Sequence, residues 1–227
     1  MKDTNLLDVY VVDVCGTLVR DDTTIGLLCH HFSRDGNRPI RYMLFRAMTV
    51  RRSPLRLAFA VLEKLTGLHL LKHAAVRLLA GDSVDSLDQS AAEYAARLLA
   101  HRRVASVWPL LDAPVHAHRV VLASASLEPV VAALASAMGV RHVASALGQQ
   151  AGILTGHYES DLTGRKEQAL IEKYGRDVMA GRVCAISDNF TDRPLLESAA
   201  QAYVVLHKEI HRSRWQGLDA TFLQVGE

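Results

Sequence analysis

The chain lacks most of the features that would mark a crosslinked, membrane-spanning or strongly charged protein. Its three cysteines (Cys15, Cys29, Cys184) are odd in number, far apart and without a CxxC pair. They spell neither a disulfide framework nor a zinc site, and a reducing compartment suits them. Aromatic residues make up only 6% of the sequence and the net charge is +2, so with no recognised binding motif a nucleic-acid partner is not expected. In the most basic part of the chain the longest uncharged apolar piece is LAFAVL at 57–62, far short of the roughly 20 residues of a membrane span. Near the N-terminus, Asp8 and Asp13 interrupt the apolar run LLDVYVVDVCGTLV. That makes a poor signal peptide, so a cytoplasmic protein is expected. GxGxxG and GxxxxGK[ST] are also missing, which leaves dinucleotide binding and P-loop chemistry without support.

What is present describes a globular chain. Hydrophobic residues are 49% and charged residues 22% of 227, enough to bury a core in one large domain or two small ones. Short Val-rich runs, LDVYVVDVC (7–15), RVVLAS (119–124), RVCAIS (182–187) and AYVVLH (202–207), read as strands buried on both faces. Helical patterns lie between them: LEPVVAALASAMG (127–139), RKEQALIEKYG (165–175) and RPLLESAAQA (193–202). The first two close on glycine, as helix ends often do. The alternation predicts an α/β fold with a doubly wound parallel sheet.

Residues 24–100 follow another pattern. They hold no clear strand, and apolar residues recur at helical spacing with Arg and Lys between them. Ser53-Pro54, Thr66-Gly67 and Gly81-Asp82-Ser83 read as breaks between helices. Ser83 and its following acids suit the first turn of a helix running to Leu99. From Arg34 to Arg77 there are ten Lys/Arg against two Asp/Glu, an excess that nearly vanishes over the whole chain. We read an all-helical insertion after the first strand, with 23–100 as a cap and 1–22 plus 101–227 as the core. GILTGHYESDLTG (152–164) reads as a hairpin-like interruption, with His157 in it structural.

In a parallel sheet ligands bind beyond the carboxyl ends of the strands, so the informative residues stand there. The first strand ends in Asp13, a carboxylate expensive to bury unless paired or metal-bound. The strand at 119–124 ends in Ser124, where a helix start opens toward an anion. Lys166 stands at the start of a helix, and the strand at 182–187 is followed by Asp188 and Asp192. Asp, Ser, Lys and Asp-x3-Asp in that order, each on a strand end or helix start, form a specific set.

These residues carry a resemblance. VYVVDVCGTL resembles the first motif of the haloacid dehalogenase-like superfamily, hhhhDxDGT, where h is apolar. VVLASAS resembles the second through Ser124, TGRKEQAL the third through Lys166, and AISDNFTDRPLLESA the fourth. The helical insertion is similar to a type 1 cap, and the spacing resembles the phosphoserine phosphatase-like branch. DDTT (21–24), LLAGDS (78–83), SASLEPVV (124–131) and GILTG (152–156) are similar to phosphatidylglycerophosphate phosphatase-like members. The resemblance implies a HAD-like Rossmannoid core and a magnesium-dependent phosphatase that forms an aspartyl phosphate on Asp13. It implies that Asp13, Asp188 and the Cys15 carbonyl hold Mg2+ with support from Asp192. Ser124, Lys166 and backbone N–H groups around Gly16 and Ala125 would hold the phosphoryl oxygens. The substrate would be a small phosphorylated molecule or a phospholipid.

One position departs from the pattern. The motif's second aspartate, the acid and base of the phosphatases, is Cys15 here. A thiol with a reference pKa of about 8.5 can donate a proton but makes a poor base at pH 7, and acid–base help is worth roughly 10²–10⁴ in rate. Three readings stand: a phosphatase using another group, a phosphotransferase with a longer-lived phosphoenzyme, and a non-catalytic phosphate-binding or regulatory protein. His30 and His31, early in the cap, are the substitute acids considered. His69 and His73 are spaced i, i+4 but lack a third metal ligand. The mixture of Arg with Met, Phe and Leu in RYMLFRAMTVRRSPLRLAFAVLEKL reads as a small helical bundle, or as a surface for peripheral contact with anionic lipid.

Overall fold

The computed structural model describes residues 8–34 and 39–225. Residue 7 of the expected first strand, and Asp35 and Arg38 of the basic stretch, lie outside the described residues. The chain runs β1 (Val9–Val12), α1 (Thr23–Arg34), α2 (Pro39–Thr49), α3 (Pro54–Thr66), α4 (Leu70–Arg77), α5 (Val84–His101) and α6 (Trp108–His116). It continues through β2 (Val120–Leu127), α7 (Glu128–Met138), β3 (Arg141–Gln150), β4 (Ile153–Ser160), α8 (Lys166–Tyr174) and α9 (Asp177–Ala180). It closes with β5 (Val183–Ser187), α10 (Arg193–Ser198), β6 (Gln201–Leu206) and β7 (Thr221–Gln224).

The seven strands form one sheet in the order β4-β3-β2-β1-β5-β6-β7. All neighbours are parallel except β3 and β4. The chain leaves β1 toward β2 on one side and later returns to pair β5 on the other, so β1 is the switch point of the sheet. A crevice opens beyond the carboxyl ends of strands at such a point. Successive residues of the central strands pack into opposite hydrophobic clusters. Val12, Val120, Leu122 and Ile186 belong to one, and Val11, Val121, Ala123 and Ala185 to the other. This is why those runs are apolar throughout rather than alternating: helices cover both faces.

The first cluster continues without interruption from the sheet through Leu27 and Leu28 of α1 and Leu87 and Leu98 of α5. The helical segment therefore joins the core through α1, which packs on β2, and α5, which packs on α7, while α2, α3 and α4 complete it. The expected breaks fall between helices: Ser53 precedes α3 with proline in its first turn, and Gly67 ends α3 with φ 71°. A left-handed terminal residue is where glycine carries no steric penalty.

Three expectations need correction. The segment 152–164 is not a hairpin by itself: β4 is the second strand of a hairpin whose first strand, β3, was not read from the sequence. β3 alternates with a polar side, RHVASALGQQ, and so lacks the continuous apolar run of the central strands. β7 is likewise short and only half-buried. The helix expected over 193–202 stops at Ser198, and residue 201 already pairs in the sheet.

Ser83 accepts a hydrogen bond from the Ser86 N–H at 3.3 Å and caps α5. Replacing it with alanine leaves that donor unpaired, and Ser83→Ala is expected to cost about 1 kcal/mol. The measurement is urea unfolding, with a lower midpoint at an unchanged slope.

Candidate active site

The switch point collects the residues singled out by the motifs. β1 delivers Asp13, and β5 delivers Ser187 with Asp188 following it. Lys166, the first residue of α8, enters from the opposite layer. Its ammonium is buried, with 4% of the side chain exposed, and lies 2.7 Å from Asp13 Oδ1 and 2.6 Å from Asp192 Oδ2. Ser187 Oγ donates to the same Asp192 oxygen at 2.6 Å. Asp192 is thus engaged with the lysine and the serine, which places it behind Lys166 rather than beside Asp13.

Burial works to lower the Lys166 ammonium, and Asp13 and Asp192 overcome it and hold the pKa above its ordinary value. Asp13 is pushed up to about 7, first by burial and then by Asp192 and Asp188, with Lys166 opposing. Asp13 and Asp192 share the lysine and Asp188 adds a third carboxylate, so the carboxylates outnumber the ammonium by two. That deficit is what a divalent cation would fill. Among the described residues no group of three His, Cys, Asp or Glu side chains stands together as a metal cage. Two carboxylates and a backbone carbonyl with retained waters form a different kind of site, one suited to a small hard cation.

Asp188 is held by two residues the motif reading did not single out. Thr17 Oγ1 donates to Asp188 Oδ1 at 3.0 Å and accepts from the Asp188 N–H at 2.9 Å. His207 Nε2 lies 3.2 Å from Asp188 Oδ2 and 2.7 Å from the Gly16 carbonyl. The hydrogen bond that His207 donates to Asp188 raises the His207 pKa against partial burial. His207 follows β6, so reading the end of that strand, as was done for the others, would have found it.

Gly16 departs from its expected role as a phosphate N–H donor, because its N–H is already given to the Val19 carbonyl. It supplies room instead. Its φ is +74°, and a Cβ there would lie 2.2 Å from Asp188 Oδ2. Ser124 is buried, and its Oγ accepts from the Ser126 N–H at 3.2 Å. The β2–β3 register skips Ala125 and Ser126, a bulge that re-aims the backbone at the strand end. The Ala125 carbonyl accepts from Ser145 Oγ and from Lys72 Nζ, each at 2.9 Å.

A cavity of about 270 Å³ joins these residues to the helical segment. Asp13, Cys15, Ser124, Ala125 and Lys166 line it from the core, and Arg56, Glu63, His69 and Lys72 from α3 and α4. The Cys15 thiol donates to the Asp21 carbonyl at 3.2 Å. Burial pushes its pKa far up, and Asp22 and Asp13 push it further. Position 15 therefore stays a neutral thiol and offers no base. Asp22, not singled out from the sequence, lines the same cavity, and burial raises its pKa. Its Oδ1 accepts from the Ile25 N–H at 3.0 Å at the start of α1.

The histidines sort otherwise. His31 is buried on Ser90 and Asp82, and His30 meets Glu93. Neither lines the cavity, and His157 is exposed on β4. His69 lines the cavity, whereas His73 turns to Asp161 and the Tyr158 ring, so the pair does not converge.

Comparison with known proteins agrees with this arrangement. The chain belongs to the haloacid dehalogenase-like hydrolases, whose family model matches residues 11–197. Among solved structures it is similar to a Bordetella pertussis Tohama I protein of unknown function, at 17% identity and TM-score 0.73, covering 96% of this chain and 98% of that one. It is similar to cytosolic 5'-nucleotidase IIIB bound to cytidine, at 15% identity and TM-score 0.61, covering 95% and 80%. A phosphoserine phosphatase described as a phospho-aspartyl intermediate analogue matches at 16% identity and TM-score 0.52, covering 95% and 93%. No curated protein matches.

Replacing Lys166 with methionine keeps its bulk but leaves Asp13 and Asp192 buried without their cation. Removing one partner of a buried ion pair costs about 3–5 kcal/mol, and denaturant unfolding is expected to show a loss of that size for Lys166→Met. Carboxylates whose folded pKa is raised bind protons more readily folded than unfolded, so lower pH favours the folded state. Without Lys166 the Asp13 carboxyl loses the group that opposes the rise in its pKa, so the deficit should be widest at alkaline pH and narrow as the pH falls.

Proposed function

We propose that the protein is a magnesium-dependent phosphatase that hydrolyses a phosphomonoester through an aspartyl phosphate on Asp13. The observation that carries this reading is the buried carboxylate of Asp13 at the sheet's switch point, 2.7 Å from a lysine that Asp192 holds from behind. Phosphoryl transfer asks for positioning and charge neutralisation more than covalent ingenuity, and the site supplies both. The similarity to a phosphoserine phosphatase described as a phospho-aspartyl intermediate analogue supports the same reading.

Asp13 and Asp188 with the Cys15 carbonyl would hold magnesium, which when bound neutralises phosphoryl charge and offsets the carboxylate excess. Asp13 attacks phosphorus, forming the aspartyl phosphate as the alkoxide leaves and takes a proton. Water then attacks the same phosphorus, its proton passes to a base, and inorganic phosphate departs with Asp13 regenerated. Lys166 and Ser124 face the cavity where the phosphoryl oxygens would sit. Thr17 and His207 fix the Asp188 carboxylate. Without them both of its oxygens would be free to turn.

Proton transfer is the step Cys15 cannot serve as a base, and we assign it to Asp22. This carboxyl lines the same cavity, and burial raises its pKa.

Turnover of an aryl phosphate with magnesium, lost in Asp13→Asn, is the expected result, and no turnover across a panel of phosphomonoesters would overturn the reading. Asp22→Asn retains an acceptor for the Ile25 N–H but removes the exchangeable proton. It should lower kcat by about 10²–10⁴ with an unchanged melting temperature. Cys15→Asp restores a carboxylate at the motif's second position and should speed decay of the phosphoenzyme in single-turnover assays. It should also recover activity in the Asp22→Asn background.

A further inference from the structure

One cap helix, α3, is turned inside out. Along α3, Arg56, Phe59 and Glu63 recur at helical spacing as the half-buried side, and Arg56 and Glu63 line the cavity. The opposite arc carries Leu57, Val61, Leu62 and Leu65, all exposed, Leu65 by 77%. No residue of α3 is buried. The adjoining α2 buries Phe45 and Met48 in the usual way but also leaves Ile40 and Met43 78% and 69% exposed. Ten of the thirteen large hydrophobic side chains exposed among the described residues fall between residues 40 and 68. A helix on a soluble surface turns its apolar stripe inward, so a concentration of this kind marks a face that meets something apolar.

We propose that this face of α2 and α3 docks on the surface of an anionic lipid bilayer. Charge decides between occupants. Exposed Arg46, Arg51, Arg52 and Lys64 border the apolar arcs, and among the described residues none has an ion-pair partner. Glu63, the one acid of residues 39–68, points to the cavity. A second copy would bring the same cations against each other. The side-chain chemistry also favours lipid over a folded partner. Phe45 is buried and Tyr42 and Phe59 are half-buried, while the large exposed hydrophobic side chains of α2 and α3 are aliphatic. The cores of protein interfaces are enriched in aromatic residues. Acyl chains need only aliphatic surface, with basic residues at the headgroups.

The test is co-sedimentation of the full chain with vesicles of phosphatidylcholine alone and of phosphatidylcholine mixed with phosphatidylglycerol. The mixed vesicles should bind the protein and the neutral ones much less, with binding weakening as salt rises. Arg51→Gln with Arg52→Gln should weaken binding about 30-fold, at roughly 1 kcal/mol per cation. Leu57→Gln with Leu65→Gln should weaken it further, while turnover of a soluble aryl phosphate stays unchanged in both. Asp13→Asn should bind vesicles like the unaltered protein, so docking is judged separately from catalysis. Equal binding to both vesicles, or none, would overturn the proposal. So would a concentration-dependent dimer that the leucine variants dissociate, since a second copy would then be the occupant.

Discussion

The ammonium of Lys166, buried between Asp13 and Asp192, is the interaction on which the site depends. A lone carboxylate at the end of an apolar strand would be expelled or protonated. With the lysine beside it, Asp13 can stay at the crevice where β1 ends, and Asp192 keeps the lysine itself from being lowered by burial. The three residues come from β1, the start of α8 and the turn after β5, elements far apart in sequence. Their meeting requires the sheet to be wound as it is, with β1 between β2 and β5. The surplus of negative charge that remains gives the site its demand for a cation.

Around this core the site is a set of restraints rather than a set of independent ligands. Thr17 and His207 hold the two oxygens of Asp188, and Ser187 holds Asp192. Gly16 is present because a side chain there would collide with Asp188. Cys15 changes the chemistry without disturbing this frame. The thiol fits the space and donates a hydrogen bond to the Asp21 carbonyl. Asp22 lines the same cavity and accepts from the Ile25 N–H at the start of α1.

The cap joins the two ends of the problem. The inner side of α3 brings Arg56 and Glu63 to the cavity, and α4 brings Lys72, which ties the Ala125 carbonyl to Asp161. The outer side of the same helix is aliphatic. One helix thus carries polar chemistry on the side facing the protein and apolar surface on the side facing outward, the reverse of the usual order. Arg56 and Glu63 line the cavity wall, and the leucines are left on the outside.

The central strands and the polar residues at their ends were legible in the sequence for a physical reason. Strands buried on both faces must be apolar throughout, so a polar residue at the end of one stands out, as Asp13, Ser124 and Asp188 do. β3 and β7 were not legible, because strands toward the edges lack that uniform signal. Gly16 was misread because its N–H had a partner only the folded loop reveals. His207, Lys72 and Asp22 escaped because their importance lies in what they touch across the fold. The basic, aliphatic composition of residues 39–68 was plain in the sequence, but which side of each helix faced outward was not. The sequence by itself determined the central strands, the order of the motif residues and the absence of the second aspartate. Tertiary structure alone decided that Lys166 is shared by two carboxylates, that Asp22 faces the cavity and that α3 is inverted, because each depends on neighbours brought from distant parts of the chain.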